Sequence, residues 1–190
     1  MSQILPLQQL SDSLEGDLFY DELHKIIYST DASVYQIKPI AVARPKSVAD
    51  IQTLVRFANK HHIPLTPRTA GTSLAGQTVG SGIIVDVSKY FTKIVSFDKE
   101  NKTVTVQPGV IRDELNLFLK PHGLFFGPNT STSNRCMIGG MVGNNSSGTT
   151  SIRYGVTRDK IVELKAILSD GSAAVFKSLS SAEFIEKTKG

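Results

Sequence analysis

Two stretches of this sequence have residue types that could hold an anion: Pro67-Arg68-Thr69-Ala70-Gly71-Thr72-Ser73-Leu74-Ala75-Gly76-Gln77 and Ile138-Gly139-Gly140-Met141-Val142-Gly143-Asn144-Asn145-Ser146-Ser147-Gly148-Thr149-Thr150. Seven of the eleven residues in the first are Gly, Ala, Ser or Thr. A backbone built from them can approach a ligand closely, and the amides of Gly71, Thr72 and Ser73 can converge with two hydroxyls on one phosphate. Charge-assisted hydrogen bonds are worth about 1.5–3 kcal/mol each, so a few of them hold a diphosphate. Arg68 could add charge there or brace the loop. Either stretch alone also reads as a tight turn, because a single glycine-rich match is weak. Two of them suggest one long ligand.

Other chemistry is poorly represented. There is no G-x-x-x-x-G-K-[ST] and no G-x-G-x-x-G after a strand, so neither a P-loop nor a Rossmann dinucleotide site is expected. Cys136 is the single cysteine, which excludes an internal disulfide, and the four histidines lack zinc-like spacing. Cys136 reads as a small buried thiol, His122 as a loop residue, and Phe125 and Phe126 as core. The net charge of +4 comes from Lys and Arg scattered among Asp and Glu, so no nucleic-acid partner is expected.

The elements that must position the two stretches fit a chain of 190 residues with 40% apolar and 20% charged residues, long enough to bury a sizeable core. No run approaches the ~18 apolar residues of a membrane span. Met1–Pro6 lacks the basic and long apolar regions of a secretory leader, so the sequons at Asn101, Asn129, Asn144 and Asn145 are expected to be unglycosylated. The expected location is cytoplasmic, or peripheral to a membrane within a longer protein.

Leu5–Ile27 reads as two short helices with a Gly break, the second over about Leu18–Ile27. A strand is expected at Ile40–Ala43. Ser47 then caps a helix whose apolar face, Val48, Ile51, Leu54, Val55 and Ala58, runs to His61. Ile63–Pro67 is a strand leading into the first glycine-rich stretch, and Gly82–Val87 is a strand buried on both faces. This first half reads as a parallel βαβ layer. Lys93–Phe97 and Thr103–Val106 read as a hairpin, Ile111–Lys120 as a helix, and Val162–Leu168 with Ala173–Phe176 as a second antiparallel pair. The tail from Ser180 is weakly helical.

The ordered motifs Pro67–Gln77, Ile83–Val87, Phe126–Asn129, Met137–Met141, Asn144–Gly148, Arg153–Gly155 and Asp170-Gly171 together resemble the FAD-binding domain of the vanillyl-alcohol oxidase flavoprotein superfamily. The similarity runs from about Pro39 to Phe176. It is strongest to the glycolate oxidase and D-lactate dehydrogenase branch, including long members with an iron–sulfur domain after the flavin domains.

The resemblance implies an α+β, PCMH-type FAD-binding fold of two subdomains, a small parallel βαβ part and a larger, mostly antiparallel part with flanking helices. The expected division is a helical segment at 1–36 and a flavin unit at 37–190, incomplete at its C-terminal end, with parts at about 37–90 and 91–190. Pro67, Arg68, Thr69, Ala70, Gly71, Thr72, Ser73 and Gln77 would take the pyrophosphate side of FAD. Pro128, Asn129, Thr130, Ile138, Gly139, Gly140, Gly143, Asn144, Asn145, Gly148 and Ser151 would line its adenosine, ribityl and flavin-edge regions, and Tyr154, Gly155 and Ile161 would close the site. Thr69 stands where the family usually has Gly, and a positive φ there would strain its β-branched side chain. No His lies in the first loop, so the FAD would be non-covalent, with His61 and His62 as cap or surface residues.

Chemistry in the resembling enzymes is oxidation of a 2-hydroxy acid of the D-lactate, glycolate or D-2-hydroxyglutarate type, with electrons passed on to an acceptor. Substrate-binding and catalytic groups would come from a cap domain outside this chain. No catalytic residue and no metal ligand is therefore assigned, and any iron–sulfur cluster would belong to later regions. The alternative is a non-catalytic nucleotide- or anion-binding module retaining the fold, and a purely structural role is a third reading.

Overall fold

The structure is a computed structural model that describes residues 6–189; of the leader reading at Met1–Pro6, all but Pro6 lies outside the described residues. Helix α1 (Leu7–Asp12) buries Leu10. Strand β1 (Asp17–Phe19) follows and pairs antiparallel with β2 (Ala41–Arg44), Leu18 lying opposite Ala43. The helix expected over Leu18–Ile27 is thus corrected. Asp21 caps helix α2 (Glu22–Ile27) by accepting from the His24 amide at 3.1 Å, and the chain before that cap is extended, with Leu18 turned inward.

Helix α3 (Val48–His61) begins where Ser47 accepts from the Asp50 amide at 3.2 Å and ends at His62, whose φ of 54° is left-handed. Leu54 packs on the sheet, and Ala58 is buried one turn further on. Strands β3 (Leu65–Arg68) and β4 (Ile83–Asp86) complete a sheet of order β1-β2-β4-β3, in which β4 is parallel to both neighbours. The two strands flanking α3 are therefore separated by β4. Ala41, Ala43, Ile83 and Val85 pack with Leu10, Leu18 and Leu54 on one face, while Val42 and Ile84 meet Tyr28 on the other. Burial on both faces is why β4 reads as an unbroken apolar run.

The second half is antiparallel, as two described pairs: β5 (Ile94–Asp98) with β6 (Thr103–Val106), and β7 (Glu163–Ile167) with β8 (Ala173–Lys177). Helix α4 (Arg112–Leu119) and helix α5 (Ile138–Asn144) pack through Val110, Leu115, Leu119, Cys136, Ile138 and Met141 into a second core. Short helix α6 (Ser151–Tyr154) and a 3-10 turn at Thr157–Lys160 follow, and helix α7 (Ser181–Lys187) ends the described chain with a Ser180–Glu183 capping box. Among the described residues no helix is long and apolar enough to cross a membrane.

Candidate functional site

The first glycine-rich stretch leaves β3 at its C-terminal end, where parallel sheets present their loops to ligands. Arg68 to Ser73 are half-buried, and among the described residues the amides of Ala70, Gly71, Thr72 and Ser73 donate to no protein acceptor. Such half-buried, unpaired donors are what an anion requires. Gly71 and Gly76 have φ of +67° and +68°, the left-handed region that favours glycine. Thr69 is not among the positive-φ residues, so the strain considered at that position does not arise. The Ser73 hydroxyl closes the loop, donating to Gln77 Oε1 at 2.8 Å and accepting from the Ala75 amide at 3.2 Å.

The second stretch is half helix. Gly139 and Gly140 lie inside α5, although glycine costs about 1 kcal/mol per helical position relative to alanine. Close packing selects them: a β-carbon on Gly139 would clash with Pro108, and one on Gly140 would lie 2.6 Å from Thr69 Oγ1. Asn145, at φ +47°, ends the helix and accepts from the Arg158 amide at 3.0 Å.

These contacts bring the two stretches together. Thr69 meets Gly140, and Gln77 Nε2 donates to Asn144 Oδ1 at 3.2 Å. On the far side a β-carbon on Gly148 would clash with the Asn129 carbonyl, while the Gly148 amide donates to Ser151 Oγ at 3.0 Å. Asn129 Oδ1 is the one buried side-chain polar atom without a partner among the described residues. Tyr154 packs beneath Gly127, where a β-carbon would lie 2.7 Å from its own, and edge-on to Phe125 at 5.1 Å between centroids. Phe125 is exposed rather than core, whereas Phe126 packs on the second core.

The remaining expected residues are placed less directly. Pro67 is exposed at the end of β3, and Pro128 is fully buried. Thr130 Oγ1 lies 3.2 Å from the buried Cys136 Sγ. Ile138 points its side chain into the core and can offer a ligand only its backbone. Gly143 faces open space. Gly155, at φ +76°, abuts Asp159, and the half-buried Ile161 follows the 3-10 turn with its amide on the Arg158 carbonyl. His61 sits against Phe57 at 4.4 Å and His122 against Phe97 at 4.6 Å, both away from the first loop's sequence.

Several supporting residues escaped the sequence reading. Arg112 donates to the carbonyls of Pro128 (3.2 Å) and Phe126 (3.3 Å), and Asn116 Oδ1 accepts from the Phe126 amide at 2.6 Å, so α4 holds the strap at 126–128. A cation in the first turn of a helix opposes the helix dipole, and that was the available signal. Asp31 sits behind the first loop, accepting from Thr78 Oγ1 at 3.1 Å and from the Ser33 amide at 2.8 Å. Burial pushes its carboxyl up, but the hydrogen bonds from Ser33 and Thr78 outweigh that and hold it below the ordinary value. Its Asp-x-Ser spacing is an Asx-turn signature. Thr157, wholly buried, donates to the Ser146 carbonyl at 2.7 Å and left no trace in the sequence pattern.

Known proteins share both the sequence and the fold of this chain. The chain is 41% identical over 175 residues to a D-2-hydroxyglutarate dehydrogenase of Haemophilus influenzae, covering 90% of this chain and 17% of that protein. It is 37% identical over 149 residues to the glycolate oxidase subunit GlcD of Bacillus subtilis, covering 77% of this chain and 32% of the subunit. The chain thus spans only a minor part of these relatives. Among solved structures, an alkyldihydroxyacetonephosphate synthase superposes with a TM-score of 0.80 at 20% identity, over 94% of this chain and 36% of the other, which shows the PCMH-type fold. The model of the FAD binding domain matches residues 39–176, and the chain belongs to that family.

Proposed function

We propose that this chain is the flavin-holding part of an FAD-dependent oxidoreductase that oxidises a small 2-hydroxy acid. The observation that carries the reading is the meeting of the two glycine-rich segments at Thr69 and Gly140, beside a loop whose amides at 70–73 are unpaired. These residues fit the cofactor. The amides of Ala70 to Ser73 would hold its diphosphate, Asn129, Gly148 and Ser151 would line one wall, and Tyr154 would close the end. The orphaned Asn129 Oδ1 is an acceptor on that wall. FAD would be held non-covalently, because the first loop contains no His and His61 packs tilted against Phe57.

When bound, the flavin supplies the acceptance of hydride from the substrate carbon. This chain's residues bind the diphosphate, fix the cofactor's orientation and narrow the groove around it. The base that takes the hydroxyl proton and the cation that binds the substrate carboxylate belong to segments of a longer protein, as do the contacts to an electron acceptor and any iron–sulfur cluster. The flavin unit would span residues 37 to 190 with a division near 90, a reading supported by the way β1 and Tyr28, from the segment before it, pack on its sheet. The working location is the cytoplasm or its membrane face.

The purified chain is expected to be yellow, or to bind added FAD saturably as followed by flavin fluorescence and melting temperature. Replacement of Gly71 and Gly140 by bulky residues should abolish that binding. A chain that binds no FAD, even when extended to the natural length of its relatives, would refute the reading.

A further inference from the structure

We propose that Arg68 is the floor of the first loop, not a contact to the ligand, and that Tyr28 is the positioning residue that holds it there. Gly71 rests on the Arg68 guanidinium: a β-carbon at Gly71 would lie 2.5 Å from Nη2 and 2.8 Å from Cζ. The same Cζ lies 5.1 Å from the centroid of the Tyr28 ring. Nη1 donates to the Thr30 carbonyl at 2.8 Å and, at longer range, to that of Thr78 at 3.5 Å. The side chain is thus engaged with protein carbonyls, an aromatic face and the Gly71 turn at once.

Tyr28 is itself fixed. It is 7% exposed, its hydroxyl donates to Asp86 Oδ2 at 2.5 Å, and it accepts from Arg44 Nη2 at 2.9 Å and Nε at 3.1 Å. Asp86, also buried, accepts from the Ser88 amide through its other oxygen at 2.8 Å. The order of support runs from Asp86 and Arg44 to the Tyr28 ring, from that ring to Arg68, and from Arg68 to Gly71. The Gly71 carbonyl in turn accepts from the Ala32 amide at 3.1 Å. A guanidinium in this position presents a positive field beneath the unpaired amides of 70–73 without touching the anion they bind. A lysine would keep the charge but lose the guanidinium that lies over the Tyr28 ring and abuts Gly71.

The inference rests on the flavin reading only for the second of two readouts. The first needs no ligand: amide exchange at Ala32 in the 190-residue chain reports whether Gly71 is held. Exchange is expected to quicken about tenfold or more in Arg68→Lys, Arg68→Met and Tyr28→Leu, and to stay within about threefold in Tyr28→Phe, which keeps the ring. The second is the FAD dissociation constant, expected to rise about tenfold or more in Arg68→Lys as in Arg68→Met, at a melting temperature within a few degrees of the parent. An Arg68→Lys protein with parental Ala32 exchange and parental FAD affinity, beside an Arg68→Met protein that has lost that affinity, would make Arg68 a charge contact and overturn the inference. Should Tyr28→Leu fail to fold, the Arg68→Lys exchange rate decides. If the parent chain binds no FAD, the flavin reading falls while the exchange result still decides the role of Arg68.

Discussion

Thr69 Oγ1 and Gly140 meet so closely that a β-carbon on Gly140 would lie 2.6 Å from that hydroxyl. One residue leaves a parallel sheet and the other sits in a helix of the second core, so this contact sets the distance between the two halves of the groove. Gly140 is exposed, and alanine is a better helix residue by about 1 kcal/mol. Gly140→Ala is therefore expected to leave the melting temperature unchanged or raise it, while weakening FAD binding about tenfold by widening the groove. Adding Thr69→Ala removes the obstructing hydroxyl and should restore most of the affinity. Fluorescence titration of the single and double variants checks this; equal affinities in the single variant and the parent would refute it.

Asp50 joins the N-terminal segment to the sheet. Its carboxylate accepts from the amides of Glu15 (2.9 Å), Gly16 (3.0 Å) and Lys46 (2.8 Å) and is 3% exposed. Removing it takes the acceptor from three part-buried amide hydrogen bonds at once, so Asp50→Ala is expected to cost about 2–4 kcal/mol. At roughly 2–4 °C per kcal/mol for a chain of this size, the melting temperature should fall by about 5–15 °C. A fall under about 2 °C would show that the amides find other partners.

Acid should loosen the back of the first loop. Asp31 and Asp17 both titrate below the ordinary value: burial pushes each up, but hydrogen bonds outweigh it, from Ser33 and Thr78 onto Asp31 and from Tyr90 and Lys89 onto Asp17. A carboxylate lowered on folding adds stability that is fully present above its unfolded value and is lost as pH falls through its folded value. The melting temperature is expected to be level in this respect above about pH 5 and to fall below about pH 4. The combined Asp17→Asn and Asp31→Asn variant should show a shallower acid limb, and an unchanged slope would exclude these two groups as its source.

Where the sequence was readable, one local pattern decided the outcome. Ser47 with Asp50 marked the start of α3, and Ile83–Val85 marked a strand with two buried faces. Leu18 was misread because β1 has one inward residue and gives no periodicity; its partner β2 lies far along the chain, and only pairing reveals the strand. The helical character of Ile138–Asn144 was hidden by its glycines, whose presence answers to Pro108 and Thr69 and not to local preference. The same holds for the supports of the groove. Arg68 was legible as a charge beside a loop, but its direction depends on Tyr28 and Thr30, which no spacing rule connects to it.

Thr157 tests how far the second wall depends on one buried hydroxyl. It is wholly buried, and both its Oγ1 and its amide donate to the Ser146 carbonyl, at 2.7 and 3.1 Å. That pair of hydrogen bonds ties the turn after α5 to the 3-10 segment, while the Arg158 amide holds Asn145 beside it. Thr157→Val keeps the shape and leaves the carbonyl its amide partner, so the cost in stability should be near 1 kcal/mol. Thr157→Ala also empties the space of both the hydroxyl and the methyl group and should cost about 1–2 kcal/mol more. Because the turn at 145–146 leads from α5 to Gly148, on the wall proposed for FAD, Thr157→Val should in addition weaken FAD several-fold, beyond what the small loss of stability explains. Denaturant unfolding of the cofactor-free chain gives the first number and FAD titration the second. A valine variant that loses stability but binds FAD as the parent does would confine Thr157 to packing.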